Sequence, residues 1–376
     1  MIQFDLESDK TLFEGALDFA QKQVRALVES EPDFYPMYTS EGKWKHGSTV
    51  RSHWCDGFLP GIMWILHKRA AQQKKPESAY WFEKAQQYSR PLETRQHDQD
   101  VHDLGFIFFS SYYRWYQTTK EPDLNVVLMQ AGQTLSRRFQ DKGQYLHSFV
   151  AENSLLIDIM MNVGIVFYAA KETGDRRLRE IALRHCLTTR RFLVRGDGST
   201  ANEGIFDTES GEFLRHTSHQ GYRSDSCWSR GLTWAFYGFA VCYEYSRDPR
   251  LLETAEKCAD YYISHCPADG VPPWDFQAPA ETRGKVDTSA AAIGASALLR
   301  LCRLLPDPIK GHFYYNTGIR ILRTLCERHL GSDSENWEGI VKNGVYHMNR
   351  SLGVSESTMW GDYFFVEGLL NALPTR

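Results

Sequence analysis

Asp158 stands in the string LLIDIMMN, a carboxylate with apolar residues on both sides. An unpaired charge buried in such a setting is costly, so this group must be paired, protonated or open to a pocket. Asp103, in HDLGF, follows His102 and precedes a second strongly apolar run. Two carboxyls brought together suit general acid–base work, because one ionised carboxylate raises the pKa of its neighbour and keeps it a proton donor near neutrality. Helix N-capping is the plain alternative for either aspartate. The surrounding HDQDVHD string matches no common metal-ligand spacing, and neither a metal nor an organic cofactor is expected.

Other residues could serve such a pair. Trp54, Trp228 and Trp234 lie where flat indole faces would stack on sugar rings or fill a core. Carboxylate pairs with aromatic neighbours are typical of glycoside hydrolysis. Arg230, in WSRGLTW, is an always-charged donor suited to a carboxylate or to sugar hydroxyls, or else to a salt bridge with an internal aspartate. His219 and Gln220, in SHQG, are hydrogen-bond donors for a ligand or plain loop residues. The glycines of RGDG at 195–198 fit a tight turn after a helix and not a phosphate loop.

These residues cluster at the starts of six segments that are apolar almost all round. They are WCDGFLPGIMWIL from Trp54, HDLGFIFFSSYYRWY from His102, LLIDIMMNVGIVFYAA from Leu155, WSRGLTWAFYGFAVCYEY from Trp228, DTSAAAIGASALLRLC from Asp287 and WGDYFFVEGLLNAL from Trp360. Helices of that kind belong in an interior. Between them run amphipathic stretches beginning near Thr11, Ser78, Asn125, Arg176, Pro249 and Phe313, with apolar residues at i, i+3, i+4 and i+7. The markers Asp56, Asp103, Asp158, Arg230, Asp287 and Asp362 are too unevenly spaced for a tandem solenoid. Six helical hairpins closed into an all-α (α/α)6 barrel fit, as a single domain over residues 1–376. ETGD, SRDP and PDP punctuate the turns from inner to outer helices. The longer joins, 195–227, 267–286 and 331–359, should form the mouth, with short strands around Gly204–Arg215 and Val341–Met348.

Composition narrows the partners. With 42% hydrophobic and 24% charged residues the chain has a globular make-up, and its net charge of -4 gives no footprint for nucleic acid or an anionic membrane. The eight cysteines carry no CxxC pair and read as reduced and structural. The longest apolar run, Leu155 to Ala170, is interrupted by Asp158 and Asn162 and falls short of a bilayer span. MIQFDLESDK is acidic where a secretory leader would be basic and then apolar, so a cytoplasmic protein is expected, or a periplasmic one if a leader has been removed.

The ordered motifs WCDGFLPGIMW, HDLGF, LLIDIMMN, ETGD, RRFLVRGDGS, HQG followed by SCWSRGLTWAFYGFA, DGVPPWDFQAP, DTSAAAI and MWGDYFF together resemble the unsaturated glucuronyl hydrolases of glycoside hydrolase family 88, over nearly the whole chain. The resemblance implies an (α/α)6 barrel with Asp103 and Asp158 as its catalytic aspartates. It also implies substrate-binding roles for Trp54, His102, Gln220, Trp228, Arg230 and Trp234, beside the candidates His219 and Phe149. The implied substrate is a 4,5-unsaturated uronic acid at the non-reducing end of a lyase-cut oligosaccharide. Asp158 is then expected as the general acid, with Asp103 ionised beside it. Two positions depart from the family pattern. Ala201-Asn202-Glu203 stands where a histidine is frequent, and Phe149 stands where a tryptophan platform is expected. Unsaturated rhamnogalacturonyl hydrolases and other (α/α)6 glycosidases or sugar epimerases are the neighbouring alternatives, although an epimerase should use paired histidines.

Overall fold

Helices apolar on every side can satisfy that surface only at the centre. In the computed structural model, which describes residues 6–46 and 52–373, they form an inner ring. Its members are α2 (Phe58–Gln72), α4 (Leu104–Ser110) continued by α5 (Tyr112–Thr119), α7 (Ile159–Asn162) continued by α8 (Gly164–Thr173), α10 (Ser229–Ser246), α12 (Thr288–Leu301) and α14 (Met359–Ala372). The amphipathic helices lie outside them: α1 (Leu6–Ser30), α3 (Glu77–Ser89), α6 (Pro122–Ser136), α9 (Arg176–Phe192), α11 (Pro249–His265) and α13 (Pro308–Arg328). Around the inner ring α2 packs on α4, α4 on α7 and α8, α8 on α10, α10 on α12, α12 on α14, and α14 back on α2. In the outer layer α1 reaches α13 and α14, which closes the circle. The chain is an (α/α)6 barrel.

Two inner helices are broken, and at one break the side chains show why. At the α4–α5 junction the Ser110 hydroxyl bonds back to the carbonyl of Phe106, and that of Ser111 to the carbonyl of Ile107 at 2.6 Å. Such back-bonding competes with the ladder and bends a helix. Three outer helices, α9, α11 and α13, begin on aspartate caps. Asp175 accepts from Arg177 N at 2.7 Å, Asp248 from Arg250 N at 3.0 Å and Asp307 from Ile309 N at 2.9 Å, the last two with proline at the first helical position. The first and last outer helices begin about one turn before the expected Thr11 and Phe313, because their opening turns are polar and amphipathy registers only later.

The strands are short and antiparallel. β1 (Thr39–Ser40) pairs with β2 (Lys43–Trp44), β3 (Phe139–Gln140) with β4 (Tyr145–Leu146), β5 (Ser154–Leu156) with β6 (Glu203–Phe206), β6 also with β7 (Phe213–Thr217), and β8 (Gly344–His347) with β9 (Leu352–Glu356). The expected strands near 204–215 and 341–348 are thus β6, β7 and β8. The RGDG segment is a tight turn in which Gly198 takes φ 91° and Arg195 N bonds Ser199 O at 2.8 Å. Among the described residues no helix is long and apolar enough to cross a membrane.

Inner helices approach closely where one offers glycine. A Cβ on Gly238 of α10 would lie 2.4 Å from the Met160 carbonyl oxygen of α7. Helix propensity alone would favour Gly238→Ala by about 1 kcal/mol. The clash should reverse the sign and destabilise by about 1–3 kcal/mol. Chemical denaturation of the variant decides it, and a gain in stability would show that the helices are not packed at that distance.

Candidate active site

All the inner helices start at the same end of the barrel, and there a cavity of about 860 Å³ opens. Trp54, Asp103, Phe149, Asp158, His219, Gln220, Arg230 and Trp234 line it together with Asp56, Arg95, Tyr346, His347 and Arg350. A second cavity, of about 660 Å³, lies at the other ends of the inner helices. Its ionisable groups satisfy one another, Arg114 with Glu367 at 2.5 Å, Arg300 with Glu244 at 2.5 Å, and Tyr237 with Glu367 at 2.8 Å. Only the first cavity holds acids left over for chemistry.

The inner-helix aspartates divide by what their oxygens do. Asp287 caps α12 by accepting from Ser289 N at 3.0 Å and also holds Arg230, while Asp362 accepts from Ile340 N and Val341 N at 2.9 and 2.8 Å. Those are structural tasks. Asp103 and Asp158 occupy the N-cap positions of α4 and α7, yet neither side chain makes a capping hydrogen bond. The sequence left N-capping open for both, and their carboxyls turn instead toward His102 and the cavity.

His102 is fully buried and organises the pair. Its Nε2 lies 3.3 Å from Asp103 Oδ1 and 3.7 Å from Asp158 Oδ2, close enough for ion pairing but not aligned as a hydrogen bond. The Phe149 N–H donates to its Nδ1 at 3.0 Å. A nitrogen that accepts carries no proton, so the ring proton sits on Nε2, aimed between the carboxylates. Burial alone would lower the His102 pKa, but the Asp103 and Asp158 carboxylates outweigh it and raise the value. Burial pushes the Asp103 carboxyl up to about 6, against the opposing pull of His102 and with a further push from Asp158. Asp103 was expected to stay ionised; with its carboxyl pushed up to about 6 it does so near neutrality and takes up a proton only in mildly acidic solution.

Arg230 takes the salt-bridge alternative. Its Nη1 lies 2.9 Å from Asp287 Oδ2 and also donates to the Val345 carbonyl, Nη2 donates to Tyr346 O at 2.7 Å, and the guanidinium stacks 4.5 Å over Trp228. Trp228 packs against Arg230 at 3% exposure, and His102 lies fully buried beneath the aspartates; neither borders the open cavity. Trp54 and Trp234 flank Phe106 at ring distances of 5.5 and 4.9 Å and form an aromatic floor. Phe149 stays 42% exposed at the rim, edge-on to His219 at 5.7 Å. Asn202, in the departing Ala201-Asn202-Glu203 segment, accepts from the backbone N–H of His219 at 2.6 Å and of Gln220 at 2.8 Å, fixing the SHQG loop. Tyr346, His347 and Arg350 were not singled out from the sequence, since they sit on β8 and the short turn after it, far along the chain from the aspartates.

Comparison with known proteins shows the family. Residues 27–268 match the model of Glycosyl Hydrolase Family 88. The unsaturated glucuronyl hydrolase of Bacillus sp. (strain GL1) is 31% identical over 346 residues, covering 90% of each chain. The unsaturated chondroitin disaccharide hydrolase of Streptococcus pyogenes serotype M1 is 28% identical over 366 residues, covering 94% of this chain and 90% of the relative. Among solved structures, an unsaturated glucuronyl hydrolase specific for heparin superposes with a TM-score of 0.88 at 28% identity, over 96% of this chain and 97% of that one.

Two substitutions should move stability in opposite directions. Arg230→Ala strands the buried Asp287 carboxylate and should cost about 3–5 kcal/mol. Asp103 has a folded pKa above its unfolded value, so ionising it opposes folding as pH rises from about 4 to about 6. Asp103→Asn should therefore stabilise the protein at pH 7 by about 1–3 kcal/mol, a gain that shrinks toward pH 4. Thermal melts at the two pH values read both effects; an Asp103→Asn protein that melts lower than wild type at pH 7 contradicts the assigned electrostatics.

Proposed function

This chain belongs to glycoside hydrolase family 88, and on that footing we propose that it removes a 4,5-unsaturated uronic acid from the non-reducing end of lyase-generated oligosaccharides, with Asp158 and Asp103 as its catalytic pair. The observation that carries the reading is the pair itself: two carboxyls at helix starts, neither used as a cap, sharing one imidazole at the base of a cavity.

In the unsaturated ring the C4–C5 double bond is a vinyl ether conjugated to a carboxylate. Protonation at C4 builds oxocarbenium character at C5, where water adds. The Asp158 side chain, the more exposed of the two at 16% against 8%, meets the sugar. It delivers the proton to C4 and, as carboxylate, takes one from the incoming water. Asp103, deeper and pushed up to about 6, keeps one proton available to the pair, with the His102 Nε2 lying 3.3 and 3.7 Å from the two carboxyls. The C5 adduct is a hemiketal that opens spontaneously, and the glycosidic bond is lost in that rearrangement. No covalent sugar–enzyme intermediate is required. Trp54 and Trp234 present ring faces to the terminal sugar, Phe149 to the next one, and His219 and Gln220 supply polar contacts. All eight cysteines are free thiols, which supports a reducing, cytoplasmic setting as part of the proposal.

Lyase-made unsaturated disaccharides should lose their ultraviolet absorbance in the presence of the protein, and steady absorbance across such a panel would sink the reading. Asp158→Asn should lose at least ~10²–10⁴-fold in kcat while still binding substrate. Reaction in heavy-oxygen water should place the label at C5, and label at C1 of the released acid refutes hydration. The proton on the pair is present below about pH 6 and lost above it, so kcat/KM should fall as pH rises through that value. Asp103→Asn should remove or displace that limb.

A further inference from the structure

The cavity is polarised. Every carboxylate on its wall comes from the first part of the chain, namely Asp56, Asp98, Asp100, Asp103 and Asp158. From residue 219 onward the wall carries His219, Arg230, His347 and Arg350 and no carboxylate. The first wall also carries Arg95, ion-paired with Asp98 at 3.0 Å and Asp56 at 3.6 Å, but its balance is acidic, so an anionic group on a ligand is disfavoured there and drawn to the second.

Within the second wall His347 is unusual. It is 5% exposed, yet neither ring nitrogen has a hydrogen-bond partner in the protein, and the His219 backbone beside it lies outside hydrogen-bonding geometry. Burying a donor and an acceptor without partners is costly, and such groups ask for an explanation in use. The segment that carries it is rigidly held. Arg230 grips the carbonyls of Val345 and Tyr346, Gln220 Nε2 donates to Tyr346 O at 3.2 Å, and Asn349 Nδ2 donates to Gly221 O at 2.9 Å. The backbone on either side of the orphaned ring is therefore held at the wall, while the imidazole itself, its two nitrogens covered in the free protein and His219 at 5.9 Å between ring centroids, has no bond that prevents it from turning toward a ligand.

Resting on the function proposed above, we propose that His347 receives the carboxylate of the unsaturated uronate ring. The groups facing it are His219, Arg350 and Arg230, the last already paired with Asp287. Burial first, then those three, push the His347 pKa down to about 4 in the free protein. The imidazole is thus neutral and donates one N–H to the incoming anion. The anion in turn reverses the field that kept the ring neutral, so the His347 pKa rises on binding and the complex takes up a proton. Binding should then weaken as pH rises above the pKa of the complex. His347 holds the conjugated carboxylate and takes no part in proton delivery to C4.

The test uses the lyase-made disaccharide that the wild-type enzyme turns over fastest. Asp158→Asn protein is titrated calorimetrically with it near pH 5.5, in buffers of different ionisation enthalpy, with His347 intact and as His347→Gln. With His347 intact, net proton uptake should accompany binding. In the glutamine variant, which keeps a neutral donor but cannot be protonated, uptake should fall and affinity drop about 10- to 100-fold, as for a hydrogen bond to a charged group. In the otherwise wild-type enzyme His347→Gln should raise KM by a similar factor, change kcat far less, and flatten the pH dependence of KM. Absence of uptake with His347 intact overturns the proposal without recourse to any variant at that position. Equal uptake and equal affinity in the glutamine variant also overturn it, while leaving the hydrolase reading in place. A wild-type protein that consumes no unsaturated disaccharide removes both.

Discussion

Placing two carboxyls at the base of a cavity inside a helical barrel is the constraint from which the rest of this structure follows. Asp103 and Asp158 sit at the first turns of α4 and α7, where unsatisfied backbone N–H groups and the positive ends of helix dipoles ease the presence of negative charge. Neither is spent on capping, so relief has to come from elsewhere. It comes from His102, which is locked by the Phe149 N–H in the tautomer that turns its proton toward both acids. Phe149 is thereby both the exposed rim ring and the clamp on the buried imidazole. Its backbone sets the catalytic tautomer whatever its side chain is, so a phenylalanine in place of a tryptophan leaves the acid pair untouched.

Much of this could be read in the chain because burial leaves a compositional mark. Segments apolar on every side had to be the inner ring, and LLIDIMMN announced a charge where a charge is expensive. Asp-Pro at 248–249 and 307–308 marked outer-helix starts through cap chemistry alone. What stayed hidden depends on direction and on distance along the chain. Residue types could not say whether Arg230 would meet a ligand or Asp287, because both uses need the same buried guanidinium; the answer lay in carbonyls contributed by β8, more than a hundred residues later. His102 and Trp228 are next to residues that border the cavity, but at a helix start successive side chains point different ways, and these two are buried behind its surface. His347 gave no signal, since a single histidine in the short strand GVYH is ordinary until the loop at 219–221 is packed against it.

The two family departures acquire a physical meaning in the same way. Asn202 uses its side-chain oxygen to hold the backbone of His219 and Gln220, so it shapes the loop that presents those residues and does not itself line the cavity. A change at that position acts on the polar wall through the loop's conformation. The aspartates, anchored in α4 and α7, lie outside its reach.

Phe106 borders both cavities, the deep one among the aspartates and the one at the opposite end of the barrel. The barrel is thus not a tunnel but a tube stopped by a single aromatic septum, in which Phe106 packs against Trp54, Trp234 and Phe58. A tube stopped in this way has one doorway. A polymer cannot be threaded through it, so only a chain end can reach the acids, and whatever remains after that end is removed must back out along the path by which it entered. Such an enzyme takes one residue from each oligosaccharide, because the end left behind is saturated and offers no double bond to hydrate.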